Sequence, residues 1–393
     1  MSTQIDAPKG GELPPQRAGR PSLRLEFLDG LRGLAALYVV VFHLFNCDGL
    51  PRWATLCLLP LHMGHNAVTV FIALSGFSLM IPVVLSQDRA LKGGTLGYLK
   101  RRAWRIMPPY YAALAVSLLV LAISPEGLAF VHGVRDREWM MNFSLLPLVS
   151  HLFLFHNLQL AWSTPINVPM WSVATEWQIY FVFPFLLLPL WRRFGNAVTL
   201  GAALVIGLAP HLLFGLPTDV GPPWYITLFT FGMVAAVLCF SGQPHHREAG
   251  RKIPWLPAAG ALCAAWLVCV VIHLSWDRYR WISELLIGGA VTCLIAAYAR
   301  LLIQGTNRPL PLGLRLLSSR WATGLGTFSY SIYLIHFPVL YTADMLLRTW
   351  HASFPQRFTA LFVGAVPLAV GLSYLFHLAF ERRFMSEFAR PNP

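Results

Sequence analysis

The length of its uninterrupted apolar blocks constrains this chain more than any other feature. Ten of them, at roughly 31–47, 67–85, 107–123, 171–191, 197–214, 224–240, 255–275, 282–303, 326–347 and 357–380, run for 17 to 24 residues. A helix rising 1.5 Å per residue needs about 20 residues to cross the roughly 30 Å hydrocarbon core of a bilayer. Inside that core only helices and closed barrels satisfy their own backbone. A barrel strand would alternate apolar with polar residues, and these blocks are solidly apolar, which excludes it. A soluble enzyme is excluded as well. Charged residues make up 12% of the 393-residue chain, about half the ordinary soluble level, and the mean hydropathy is +0.57. The expected fold is all-α, a polytopic transmembrane helical bundle of about ten spans.

The stretch 143–160 is apolar but short, carries Pro147, His151 and His156, and sits beside polar residues. It is expected to be re-entrant or interfacial rather than a full span. Basic residues set the orientation of such a bundle. With the N-terminus inside, 23 of the 30 Lys and Arg fall on the cytoplasmic side, leaving Arg52, Arg135, Arg137, Arg278, Arg280, Arg348 and Arg357 outside. Both termini are therefore expected in the cytoplasm. The net charge of +13 then has a topological role, and nucleic-acid binding is excluded. Residues 1–26, polar with Pro8, Pro14, Pro15 and Pro21, read as a disordered cytoplasmic tail without a cleavable signal peptide. Residues 27–384 form the transmembrane domain and 385–393 a short cytoplasmic C-terminal tail. No internal repeat is evident.

The six cysteines have no CxxC or metal spacing. Cys239, Cys263, Cys269 and Cys293 lie in apolar segments and read as small core residues. Cys47 and Cys57 flank one short loop, where a disulfide and free thiols are both open. His62, His65, His151 and His156 are placed outside, but no HExxH or carboxylate grouping accompanies them, so no metal site is expected.

The first block holds the sharpest signal. Arg32 and His43 are eleven residues apart, which returns them to within about 20° of one helical face and separates them by about 16 Å along the axis. Arg32 then lies near the cytoplasmic mouth and His43 toward the external side. An ionisable group inside a span is costly and faces a cavity or a partner. Arg32 as a topology anchor and His43 as an interfacial histidine stay open beside a functional reading of the pair.

LDGLRGLAALYVVVFH, residues 28–43, resembles the opening of the acyltransferase-3 family of integral membrane acyltransferases, whose signature is Arg, ten residues, then His. AVTVFIALSGFSLM is similar to the family's second-helix segment ending in Ser-Gly-Phe, and YLKRRAWRIMPPYY to its basic stretch before a Pro-Tyr-rich helix. WSVATEWQIYFVFP, FSYSIYLIHFPVL and FERRF resemble its later motifs. The six matches stand in family order over about 27–384, so nearly all of the chain is covered.

The resemblance implies an O-acyltransferase that takes an acyl group from cytoplasmic acyl-CoA, commonly acetyl-CoA, and places it on a hydroxyl of a carbohydrate or sugar-bearing acceptor. It implies a bacterial inner membrane location and acyl-CoA as donor substrate, with no permanently bound cofactor. A sugar hydroxyl is a poor nucleophile until a base near neutral pKa removes its proton, and an imidazole suits that task. His43 is the candidate base, with a covalent acyl-histidine as the alternative. Arg32 is read as binding or orienting the CoA end. Arg101, Arg102 and Arg105 share a helix face at i, i+3 and i, i+4, and their forks suit CoA phosphates, although a positive-inside cluster has the same look. Glu176 in a span must be paired or protonated, as a structural partner or as part of the catalytic chamber. Tyr330, Tyr333 and His336 are candidate substrate contacts, with a core histidine equally open for His336. Ser75 and Gly76 read as small residues for close helix approach, and Ser75 lacks the GxSxG setting of a nucleophile. Two positions depart from the family: Thr69 stands where an acidic residue is frequent, and Trp177 where a second Glu is. The rival reading is a secondary transporter or flippase for a lipid-linked glycan or small molecule, which intramembrane His and Glu would also suit.

Overall fold

The computed structural model describes residues 4–6, 22–45, 63–123, 145–163, 165–214, 221–272, 279–305 and 309–385. Cys47, Cys57, His62, Arg135 and Arg137 lie outside the described residues. Among the described residues, each of the ten apolar blocks falls largely on helix. The helices are α1 (Glu26–Phe45), α2 (His65–Leu85), α3 (Gly94–Ile123), α4 (Leu145–Leu152), α5 (Leu160–Ser163), α6 (Trp171–Val182), α7 (Leu188–Phe214) and α8 (Tyr225–Phe240). They continue as α9 (Pro244–Lys252), α10 (Trp255–Val271), α11 (Arg280–Gln304), α12 (Leu312–Leu317), α13 (Arg320–Thr327), α14 (Ser329–Thr349), α15 (Phe354–Ala360) and α16 (Val366–Phe376).

By length and composition, six helical stretches can cross a membrane: Glu26–Leu44, His65–Leu85, Gly94–Ile123, Val168–Phe214, Arg280–Gln304 and Phe354–Phe384. A seventh forms if α8 and α9, bent by 109°, count as one. The count differs from ten for local reasons. Val168–Phe214 merges two of the blocks across a kink at Gly195, whose φ of 76° is open to glycine. Helix α10 is only 17 residues long, and α14 is interrupted by Tyr330, Tyr333, His336 and Asp344. Pro184 lacks the N–H of a regular turn, and a π turn at Phe183–Leu187 joins α6 to α7. Region 143–160 holds only the eight-residue α4, a 3₁₀ turn at His156–Leu158 and the start of α5, too short for a span.

Within 1–26, Gln4–Asp6 and Ser22–Arg24 pair as antiparallel strands β1 and β2, with Ile5 opposite Leu23. Both strands alternate polar, apolar, polar, a pattern that suits a pleated ribbon.

Helices α2 and α8 pack backbone to backbone. A Cβ on Gly76 would run into the Phe229 carbonyl, and one on Gly232 into the Ala73 carbonyl. Without side chains at those two points the backbones approach directly, as small residues allow in membrane bundles. This contact fixes the wall on which Ser75 and Ser78 stand. Phe77, Phe183, Trp224 and Phe229 fill the surrounding core, each fully buried.

Candidate active site

The end of α1 that carries Arg32 opens onto a cavity of about 110 Å³. Its wall includes Arg32 from α1, Ser75 and Ser78 from α2, Arg102 and Arg105 from α3, Glu176 and Tyr180 from α6, and Tyr330 and Tyr333 from α14. Arg32 is held at two points: Nη1 lies 3.0 Å from Asp29 Oδ1, one helical turn back, and Nη2 donates to Ser78 Oγ at 2.8 Å. Its plane is thereby fixed against the cavity.

Glu176 is paired with hydroxyls rather than with a cation. Its Oε1 accepts from Ser75 Oγ and from Tyr180 OH, both at 2.5 Å. Tyr180 is four residues on along the same helix, whereas Ser75 comes from α2. Ser75 is therefore a hydrogen-bond donor to the carboxylate.

The three arginines of α3 separate. Arg102 and Arg105 line the cavity, while Arg101 turns away and donates from Nη2 to the Lys92 carbonyl at 2.6 Å. The reason is angular: at 100° per residue, Arg101 and Arg102 lie on opposite sides of Arg105, and the cavity is on the Arg102 side. Arg105 Nη2 lies 3.9 Å from Glu381 Oε1. Glu381, buried at the close of the last helix, also accepts from Ser331 Oγ at 2.6 Å and pairs with His377 Nδ1 at 2.9 Å. The other amino group of Arg105, Nη1, is buried with no hydrogen-bond partner among the described residues.

His43 lies beyond this cavity, against His336. His43 Nδ1 is 2.9 Å from the Val39 carbonyl and 3.2 Å from His336 Nε2, and His336 Nδ1 is 2.9 Å from the Ile332 carbonyl. A carbonyl oxygen only accepts, so each Nδ1 carries the proton in the neutral pair. His336 Nε2 then accepts from His43 Nδ1–H. His43 Nε2 is left with a lone pair, which is what a base or a nucleophile requires.

Tyr333 connects the two zones. Its ring stands 6.0 Å from that of His336, its hydroxyl donates to the Pro169 carbonyl at 2.8 Å, and Ser172 Oγ lies 2.5 Å from that hydroxyl. Tyr330 donates to the Ile106 carbonyl at 3.2 Å, closing the wall between α14 and α3. The structure thus gathers Arg32, Arg102, Arg105, Glu176, Tyr330 and Tyr333 around one cavity, sets His43 and His336 as a pair past its end, and leaves Arg101 aside. It adds Asp29, Ser75, Ser78, Ser172, Tyr180 and Glu381, which sequence reasoning did not place in the site. Thr69, which donates to the Asn66 carbonyl, and Trp177, which packs on Phe181, are not part of the cavity wall.

The external histidines do not converge. His65 packs against Trp171 at 5.6 Å, and His151 and His156 stack on each other at 3.8 Å. Among the described residues no group of three or more His, Cys, Asp or Glu is arranged to hold a metal ion.

Comparison with known proteins finds relatives over most of the chain. The chain is 24% identical over 331 residues to the peptidoglycan O-acetyltransferase OatA of Listeria monocytogenes, covering 80% of this chain and 49% of that protein. It is 26% identical over 329 residues to the putative peptidoglycan O-acetyltransferase YrhL of Bacillus subtilis, covering 80% and 48%. It is 23% identical over 343 residues to the O-acetyltransferase OatA of Staphylococcus aureus, covering 80% and 50%. The chain spans about half the length of these curated relatives. No solved structure matches it. The acyltransferase-domain model of the acyltransferase-3 family matches residues 25–378, and the chain belongs to that family.

Proposed function

We propose that this chain is a membrane O-acyltransferase that moves an acyl group, acetyl in the first instance, from acyl-CoA to a hydroxyl of a carbohydrate or sugar-bearing acceptor. The observation that carries the reading is the pairing of His43 with His336, which leaves His43 Nε2 unprotonated, while the arginine-lined cavity ends at Tyr333, whose ring stands 6.0 Å from that of His336. The acyltransferase relatives, two of them named for peptidoglycan, support a carbohydrate acceptor.

In the proposed reaction the acceptor hydroxyl gives its proton to His43 Nε2 as its oxygen attacks the thioester carbon. The tetrahedral intermediate collapses with cleavage of the C–S bond, and the CoA sulfur leaves with the proton returned from His43. His336 holds the imidazole in the right tautomer and takes no part in bond making. Arg102 and Arg105 are the donors suited to CoA phosphates, through bidentate charge-assisted bonds. Arg32, fixed by Asp29 and Ser78, orients the donor arm between them and His43.

In this reading the donor enters from the cytoplasm, and the chain crosses a bacterial inner membrane in ten spans with both termini cytoplasmic. The basic-residue count supports that orientation.

Incubating the purified protein with radiolabelled acetyl-CoA and a panel of glycans tests the proposal. Stoichiometric release of CoA with label in the acceptor is expected. Movement of a glycan across vesicles without CoA release would establish the transporter alternative instead. Label retained on acid-quenched protein and lost in His43→Ala would favour the acyl-histidine route.

A further inference from the structure

A second cavity, of about 290 Å³, is lined by Phe337, Pro338 and Tyr341, which follow His336 on α14. The same two elements build both chambers in sequence. On α14, Tyr330 and Tyr333 face the arginine-lined cavity, His336 meets His43, and Phe337 and Tyr341 face the second cavity. On the segment leading into α6, Val168 faces the second cavity, while Ser172 and Glu176 face the first. Phe337 is the partition, with its ring edge-on to His43 at 5.4 Å between centroids and stacked on Tyr341 at 6.2 Å. One side chain therefore separates the second cavity from the imidazole.

The two chambers differ in chemistry. The first is lined by three arginines, a glutamate, four serines and three tyrosines, together with Val68, Phe71, Ile72, Leu79, Ile106 and Val173. The second carries no charged side chain among the described residues: Val120, Leu121, Ile166, Val168, Phe337 and Pro338 stand in its wall, with hydroxyls from Ser117 and Tyr341. It is a constructed chamber: Asn167 Nδ2 donates to Ser117 Oγ on α3 at 2.9 Å and to the Leu334 carbonyl on α14 at 3.1 Å, tying the 165–168 wall to both helices. A free sugar would leave its hydroxyls unpaired against such a wall, at the cost of their hydration. A hydrocarbon chain would lose nothing and gain contact.

We infer that the second cavity is the acceptor chamber and that it holds the hydrocarbon portion of an amphiphilic alcohol, whose hydroxyl-bearing head reaches His43. The inference rests on the acyltransferase reading and narrows its acceptor from any carbohydrate to one carried on an apolar chain. Donor and acceptor then approach the same imidazole from chambers of opposite polarity, which keeps the thioester arm and the acceptor from competing for one pocket.

The test uses dodecyl glucoside with a terminal diazirine as a photoprobe on the full-length protein in nanodiscs. Crosslinks are expected on peptides containing Val120–Leu121, 165–168 or 337–341, competed by unlabelled dodecyl glucoside and not by glucose. Val120→Trp and Ile166→Trp, which fill the chamber from different walls, should each reduce that competed labelling at least tenfold. In acetyl transfer, dodecyl glucoside should have a KM at least tenfold below that of methyl glucoside, and either Trp variant should narrow the gap. Labelling that unlabelled probe does not compete would mean bulk lipid in a crevice and would overturn the inference. Equal KM values for the two glucosides would overturn it too. If no acceptor releases CoA while competed labelling persists, the acyltransferase reading fails and the apolar binding chamber stands.

Discussion

His336 Nε2 lies 3.2 Å from His43 Nδ1, so the proton of one imidazole is held by the lone pair of another. Because His336 Nδ1 is itself engaged by the Ile332 carbonyl, the direction of that bond is set by the backbone of α14. The Val39 carbonyl, four residues back, and His336, 293 positions away, together keep the proton on His43 Nδ1 and leave its Nε2 with a lone pair.

Replacing His43 with Ala should lower acetyl transfer by about 10² to 10⁴, the usual worth of general acid–base catalysis. His336→Ala should lower kcat by a smaller factor, roughly 10 to 100, and leave the KM of donor and acceptor within a factor of two or so. A role for His336 in substrate contact would raise a KM instead. Steady-state kinetics on both variants, normalised for folded protein, separates the two roles.

The arginines of α3 should divide as their geometry does. Arg102→Gln and Arg105→Gln should each raise the KM for acetyl-CoA about tenfold or more, since charge-assisted hydrogen bonds contribute roughly 1.5–3 kcal/mol. Arg101→Gln, whose side chain is spent on the Lys92 carbonyl, should leave it near wild type. Lys at 102 or 105 should recover only part of the loss, because an ammonium lacks the planar fork. Equal effects at all three positions would point to a topology anchor.

The helices were legible in the apolar blocks, and the Arg32–His43 face followed from one helical period, because both depend on spacing within one segment. Asp29 beside Arg32 and Tyr180 beside Glu176 obey the same i, i+3 and i, i+4 rule and were equally open to reading. Ser75 with Glu176, His43 with His336 and Arg105 with Glu381 were not. Each pair joins residues 101, 293 and 276 positions apart, and only packing decides which helices meet. Arg101 illustrates the limit. Periodicity says which residues share a face, but not which part of that face looks into a cavity. The pairing of β1 with β2 was hidden for another reason: three residues are too few for an alternation to stand out among prolines.

Glu176 offers a test of buried hydrogen bonding. Tyr180→Phe or Ser75→Ala removes one of two donors to the same carboxylate oxygen, and each should cost about 1.5–3 kcal/mol of stability in detergent. The double variant should cost more than the sum, because it leaves a half-buried carboxylate with neither donor. Glu176→Gln relieves that charge, so adding it to the double variant should restore part of the lost stability. Thermal unfolding followed by intrinsic fluorescence would measure all four.

Glu381 has two separable roles, and its isosteric variant distinguishes them. Through Ser331 and His377 it ties α14 to the last helix, and through Arg105 Nη2 it reaches the arginine-lined cavity. If the carboxylate holds Arg105 toward the donor, Glu381→Gln should raise the KM for acetyl-CoA severalfold with kcat and acceptor KM little changed. In that case the Arg105→Gln/Glu381→Gln double variant should resemble Arg105→Gln alone, since residues acting through one contact are not additive. A purely structural carboxylate predicts the reverse pattern: lower thermal stability, unaltered donor KM, and additive effects in the double variant. The 3.9 Å separation in the structure favours modest coupling over a rigid clamp. A shift of only severalfold is therefore expected, against tenfold or more for the loss of Arg105 itself.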